Sequence, residues 1–205
     1  DNVLGVPEGS YAALLSHSGS RGLGAAIAKH YSLLARDICR LPREAQHFAW
    51  LGLDTEEGQE YWLSMNLAGD YARACHERIH LNLAKALGLK PLANVNNHHN
   101  FAWKEELASG QTAIVHRKGA TPAQKGLPGL IPGSMATPGY LVCGKGVGEA
   151  LCSASHGAGR AMSRQKAKDS FTQSALKKYL SQAGVTLIGG SVEEMPLAYK
   201  DIDRV

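Results

Sequence analysis

The sequence predicts a chain that mixes α-helices with short β-strands. Two long stretches before Pro91 repeat their apolar residues at helical spacing. A segment over 98–119 alternates as a hairpin does, and a further helical pattern follows Phe171. In order along the chain, YAALLSH (11–17) reads as a short buried strand ending on a histidine. RGLGAAIAKHYSLLARDIC (21–39) opens a helix with periodic apolar positions, and residues 57–88 carry a longer one, interrupted near Gly69 and closed by Gly88 and Pro91. HHNFAWKEEL, a turn at ASG and QTAIVHRKG form the hairpin. Residues 121–139, rich in proline and glycine, read as loop, and GYLVCG as another short strand. FTQSALKKYLSQAG is a helix stopped at Gly184, and TLIGG reads as a last strand. No repeat, low-complexity tract or domain boundary stands out, so 1–205 reads as one domain.

With 205 residues, 44% hydrophobic and 20% charged, the chain can build one sizeable core or two small ones. No apolar run approaches the length of a membrane span. The start, DNVLGVPEGS, is polar and lacks the apolar core of a signal peptide; its Asp in place of Met reads as an excised or truncated piece. Cys39, Cys75, Cys143 and Cys152 show no paired spacing, which points to a reduced, cytoplasmic protein rather than a disulfide scaffold. A net charge of +4 permits an anionic partner without requiring one.

Nine histidines and 23 glycines recur in one local pattern. At His17 an apolar run ends on a histidine and SGSRGLG follows. At His116 the run TAIV ends likewise and RKGAT follows. At His156 the string is HGAGR. Each time a histidine stands beside glycine and a cation. Glycine lets a ligand approach the backbone, and arginine offers a two-pronged fork for phosphate. NNHHN (96–100) adds two more histidines with amide neighbours. Together these suggest a polyphosphate or a nucleic-acid end held near a metal, although their spacing matches no compact zinc motif.

Two other motifs compete. HERIH (76–80) fits H-E-x-x-H, with His76 and His80 on one helix face and Glu77 as a base, the pattern of a zinc hydrolase. No third ligand is evident after it, and the alternative is a solvated helix face. GYLVCGKG (139–146) nearly fits a phosphate-binding loop, but Gly146 stands where the hydroxyl should be. The spaced cations over 160–178 suit either an RNA-facing surface or a solvated face.

Six segments in order, HSGSRGLG (17–24), HHN (98–100), HRKGAT (116–121), GSM (133–135), SHGAGRAMSR (155–164) and AYKDID (198–203), resemble the RtcB-type RNA-splicing ligases. The resemblance implies the family's own α+β architecture, mixed sheets with flanking helices. It implies a ligase dependent on GTP and Mn²⁺ that joins RNA ending in a 2′,3′-cyclic phosphate or 3′-phosphate to RNA with a 5′-hydroxyl. A histidine is guanylylated first, with archease as a partner in some systems. By motif, His156 matches the histidine that takes GMP, and His17 and His99 match manganese ligands. Asn100, Gly133, Ser134, Met135, Gly157, Ala158, Gly159 and Tyr199 match the nucleotide pocket. Arg21, Lys118, Arg160 and Arg164 would face phosphates of nucleotide or RNA, and the three arginines would do so in place of forming structural ion pairs. The glycines after His156 would leave room for the α-phosphate. The family's upstream Asp-x-x-Cys and Gly-x-x-Asn-His motifs and its terminal guanine-contacting lysine have no counterpart here, so the resemblance assigns only part of the metal shell. A catalytically silent relative that binds RNA or nucleotide is the alternative within the same family.

Overall fold

Helices α1 (Arg21–Cys39) and α2 (Glu56–Ala86) take up most of the chain between Glu8 and Leu92, with a short 3₁₀ turn at Arg43–Phe48 between them. The computed structural model describes residues 2–107 and 109–205. Although nothing in the composition marks a boundary, the chain divides into two compact units. One is Glu8–Leu92; the other joins the N-terminal residues through Pro7 to Ala93–Val205. No helix among the described residues is long and apolar enough to cross a membrane.

In the helical unit α1 packs against α2 through small residues. Ala35, Ala68 and Ala84 are the buried apolar side chains, and a methyl group on Gly24 would lie 3.9 Å from the Ala68 Cβ. Helix α2 begins where Thr55 Oγ1 accepts from the Gly58 amide at 3.1 Å, with Glu56 and Glu57 in the first turn complementing the helix dipole. It runs unbroken through Gly69, contrary to the interruption expected there. One glycine in a helix interior costs only about 1 kcal/mol, and the flanking turns absorb it. The strand expected at 11–17 does not form. Tyr11, Leu14 and Leu15 are exposed, and a strand without a paired neighbour has no ladder for its backbone.

Among the described residues the second unit holds three two-stranded antiparallel sheets. Strands β1 (Asn100–Glu106) and β2 (Thr112–Lys118) form the expected hairpin, with Asn100 opposite Lys118. Of the expected ASG turn, Ala108 lies outside the described residues; Gly110 takes a φ of +76°. β3 (Ala120–Pro122) pairs with β6 (Ser153–Ser155), and β4 (Pro128–Ile131) with β5 (Tyr140–Cys143). Two strands therefore lie in the stretch read as loop. Both are short and set their prolines at strand ends, where a missing amide is tolerated. Arg117 on β2 is 2% exposed. Its guanidinium donates to both Glu105 oxygens at 2.7 and 2.8 Å and to Ser153 Oγ and Leu151 O at 2.8 Å, tying the hairpin to β6.

Helices α3 (Arg164–Ser170) and α4 (Gln173–Gln182) start on Ser163 and Thr172, whose hydroxyls accept from the Lys166 and Ala175 amides. Leu176 and Leu180, one turn apart on α4, are fully buried with Met195, and Met135, Phe171, Tyr179 and Leu187 pack around them. Gly184 ends α4 at a φ of +71° as expected. TLIGG is not a strand: Ile188 is 94% exposed, and Gly189 and Gly190 take positive φ values that no strand accommodates.

Candidate active site

The pairing of β3 with β6 sets Ala120 opposite Ser155, so Gly119 and His156 face each other one residue beyond the ladder. His156 Nδ1 lies 2.7 Å from the Gly119 carbonyl oxygen. A carbonyl only accepts, so Nδ1 carries the proton, and the neutral ring has its lone pair on Nε2. Gly119 takes a φ of +71°, the left-handed conformation that favours glycine, and this turns its carbonyl onto the ring. The Gly119 amide donates to the His99 carbonyl at 2.9 Å, and the His99 ring stacks on His156 with centroids 5.0 Å apart. Three motif segments thus meet at one histidine, with Asn100 and Lys118 exposed side by side at the hairpin mouth.

The two serine hydroxyls nearest His156 in sequence are already engaged. Ser155 Oγ donates to the Gly157 carbonyl at 2.7 Å, and Ser153 Oγ donates to Leu151 O while accepting from Arg117. Cys152 is half-buried, its backbone held at a φ of +47°.

Of the residues that follow His156, Gly157 and Ala158 are buried and Gly159 is half-buried at a φ of +72°. A methyl on Gly157 would sit 3.1 Å from the Pro132 carbonyl, and the same carbonyl accepts from the Ala158 amide at 3.0 Å. The glycine that faces the ring is Gly119, whose added methyl would lie 3.4 Å from His156 Cε1. Gly133 is also required by its own turn, since a side chain there would overlap Pro138 O and Thr137 Oγ1. Ser134 is held by Thr137, its amide at 2.7 Å and its hydroxyl at 2.9 Å from Thr137 Oγ1; Met135 spends its side chain on the α4 core. The GSM and HGAG loops are therefore neighbours through Pro132.

Arg160 corrects another expectation. It makes a structural ion pair with Glu194 at 3.7 Å, donates to Glu193 O at 2.6 Å and to Met162 O at 3.1 Å, and lies over the Tyr199 ring. Tyr199 OH donates to Glu194 and accepts from Arg160, and Gly159 and Ala161 exchange backbone bonds with Lys200 and Ala198. Burial, then the Glu194 carboxylate, push the Tyr199 hydroxyl above its ordinary range. One face of Tyr199 is thus covered by Arg160. Arg164 is exposed at the start of α3; with Lys168, whose hydrogen bond is the main cause, it helps hold the Glu193 carboxyl below its ordinary range.

In the helical unit the exposed His17 sits between Ser16 and Ser18, and Arg21 is the exposed first residue of α1. Both rings of the HERIH motif are engaged with the chain around His17. His80 Nε2 is 2.8 Å from Ser16 Oγ, and His76 Nε2 is 3.1 Å from the Ser18 amide and 2.9 Å from its carbonyl. Glu77 faces solvent, and among the described residues no group of three His, Cys, Asp or Glu is placed to hold a metal ion. The near phosphate loop is ordinary backbone packing: Gly144 has no room for a side chain against Ala123 and Gln124, and Gly146 takes a φ of +68°.

A family model described as tRNA-splicing ligase RtcB matches residues 2–205. This chain belongs to the RtcB family. Among curated RtcB proteins, the RNA-splicing ligase RtcB of Escherichia coli (strain K12) is 34% identical over 206 residues, 94% of this chain and 50% of that protein. The tRNA-splicing ligase RtcB of Nanoarchaeum equitans is 32% identical over 236 residues, 99% of this chain and 49% of that protein. The chain spans about half the length of the curated RtcB relatives it matches. Its helices and small antiparallel sheets are the α+β mix expected of an RtcB-family chain. Gly119 of HRKGAT has no role in the sequence reading, and His76 and His80 of HERIH read there as a zinc motif with no link to the chain around His17. Gly119 was signalled by its place in HRKGAT, directly after a strand.

Proposed function

We propose that the protein carrying this chain is an RNA ligase that joins a 3′-phosphate end, or a 2′,3′-cyclic phosphate opened to one, to a 5′-hydroxyl end through GMP bound to His156. RNA with such ends is the proposed partner, and archease a proposed accessory protein. The observation that carries this reading is the tether from Nδ1 to Gly119, which leaves the Nε2 lone pair for attack on phosphorus. Nε2 forms a bond to the α-phosphorus of GTP and the bond to pyrophosphate breaks. The Gly119 carbonyl keeps hold of the Nδ1 proton on the now cationic ring. An oxygen of the RNA 3′-phosphate then takes GMP and His156 is regenerated. The 5′-hydroxyl attacks the activated 3′-phosphorus, loses its proton to solvent, and GMP leaves. Lys118 and Arg164, both exposed, are the cations proposed to meet phosphate here, with Arg21 in the helical unit. Asn100, Gly133, Ser134, Gly157, Ala158, Gly159 and Tyr199 remain the proposed nucleotide contacts, with Met135 limited to its backbone.

The donor chemistry suits Mn²⁺ in kind, because imidazole is an accepted ligand alongside harder oxygens. His17 and His99 are each proposed, by motif, as an imidazole ligand to manganese, which would neutralise phosphate charge. The test is incubation with labelled GTP and Mn²⁺, with the adduct mapped by mass spectrometry. The expected adduct sits on His156, is labile in acid and stable in base, and is absent from His156→Ala. An acid-stable adduct, or one that persists in that variant, removes His156 from the mechanism. No adduct at all, in a protein that still binds RNA, points to the silent relative.

A further inference from the structure

Residues 8–20 contain no helix or strand, so no backbone ladder fixes the segment that presents His17. What grips it is α2. His76 and His80 lie one helical turn apart, so their rings leave the same face of the helix. One Nε2 meets Ser16 and the other meets Ser18, and all four residues are half-buried. A single ring nitrogen makes one of the two Ser18 contacts at a time: unprotonated, it accepts from the amide; protonated, it donates to the carbonyl. Ser18 Oγ is buried without a hydrogen-bond partner among the described residues, so the serine's own hydroxyl does not anchor the loop. The grip falls on the residue before His17 and on the residue after it.

We infer that His76 and His80 are positioning residues for His17, setting the direction in which its imidazole leaves the loop. The inference rests on the proposed role of His17 as a manganese ligand. HERIH then serves the site through the loop it holds, without binding metal itself. Groups that orient a metal ligand typically contribute about 10–100-fold to metal affinity, and a ligand displaced by about 1 Å loses productive geometry on a comparable scale.

The experiment compares His76→Leu/His80→Leu with the conservative His76→Gln, whose amide reaches to about where Nε2 lies. In the metal-free protein, hydrogen exchange of the Ser16–Ser20 amides reports the grip directly. Titration calorimetry with Mn²⁺ reports its consequence, and far-UV circular dichroism monitors the helices. The double leucine variant is expected to exchange faster over this segment and to bind Mn²⁺ at least about 10-fold more weakly, with helix content unchanged. His76→Gln should recover most of both losses. Unchanged exchange and unchanged Mn²⁺ affinity in the double variant would overturn the inference. So would stoichiometric zinc that disappears with His76, since HERIH would then be a metal site. His17→Ala separates the two layers. If it leaves Mn²⁺ binding intact, the role of His17 fails. If it weakens Mn²⁺ while the leucine variant does not, the positioning role alone fails.

Discussion

The two motif regions solve opposite problems. At His156 a backbone carbonyl holds a side chain; at His17 two side chains hold a loop, His76 through the Ser18 backbone and His80 through the Ser16 hydroxyl. In the first, the chain geometry at Gly119 selects the histidine tautomer. In the second, helix α2 supplies rings to a segment with no regular structure of its own. The difference shows which substitutions each region tolerates. The His156 region is vulnerable to anything that disturbs backbone conformation. The His17 region is vulnerable to loss of particular side chains on a distant helix.

The strongest way to break the comparison is Arg117→Ala, because the hairpin and β6 meet at that guanidinium and Glu105 would be left partly buried without its partner. Breaking a buried ion pair from one side costs about 3–5 kcal/mol. Urea unfolding should show that loss in the unit that carries Trp103, on whose ring Arg117 lies. A shift within the ~0.5 kcal/mol of an ordinary surface change would show that the pair carries no net stability. Next is Gly119→Ala. Forcing an alanine into the left-handed region costs about 1–2 kcal/mol; the added methyl itself meets only ordinary contacts. Relief of that strain turns the carbonyl off Nδ1, so adduct formation on His156 should fall more than stability does. Nitrogen NMR of the His156 ring should show the tautomer no longer fixed, and an unchanged spectrum would mean the tether is not what selects it. The smallest effect belongs to Thr55→Ala at the start of α2, worth about 1 kcal/mol as a lost cap. It sharpens the contrast if thermal melting of the helical unit drops while the His156 spectrum stays the same.

The parts legible in the sequence are those decided locally. Helix α1 runs over Arg21–Cys39, where its apolar period predicts it, and the hairpin needed only alternation and a turn. What was not legible depends on distant partners. YAALLSH and TLIGG carry a strand's composition but find no strand to pair with. The proline-rich stretch carries little of it, yet β3 finds β6. The site divides in the same way. His156 stood out by its motif, whereas its tether is 37 residues away. HERIH read as a zinc motif because two rings at i and i+4 point the same way whether they grip a metal or a loop; the serines they hold lie 58 and 64 residues upstream. Arg160 read as a phosphate ligand because its counter-charge, Glu194, is far along the chain.

Gly119 bonds outward in two directions: its amide to the His99 carbonyl, its carbonyl to the His156 ring. The two bonded groups lie in separate peptide planes that meet at a single Cα. That Cα is a joint with only two soft angles, and it carries no side chain to resist rotation. Only those two angles separate the hairpin mouth, where Lys118 and Asn100 are paired, from the hold on the ring. One residue therefore both closes the hairpin mouth and sets the angle at which the imidazole is held.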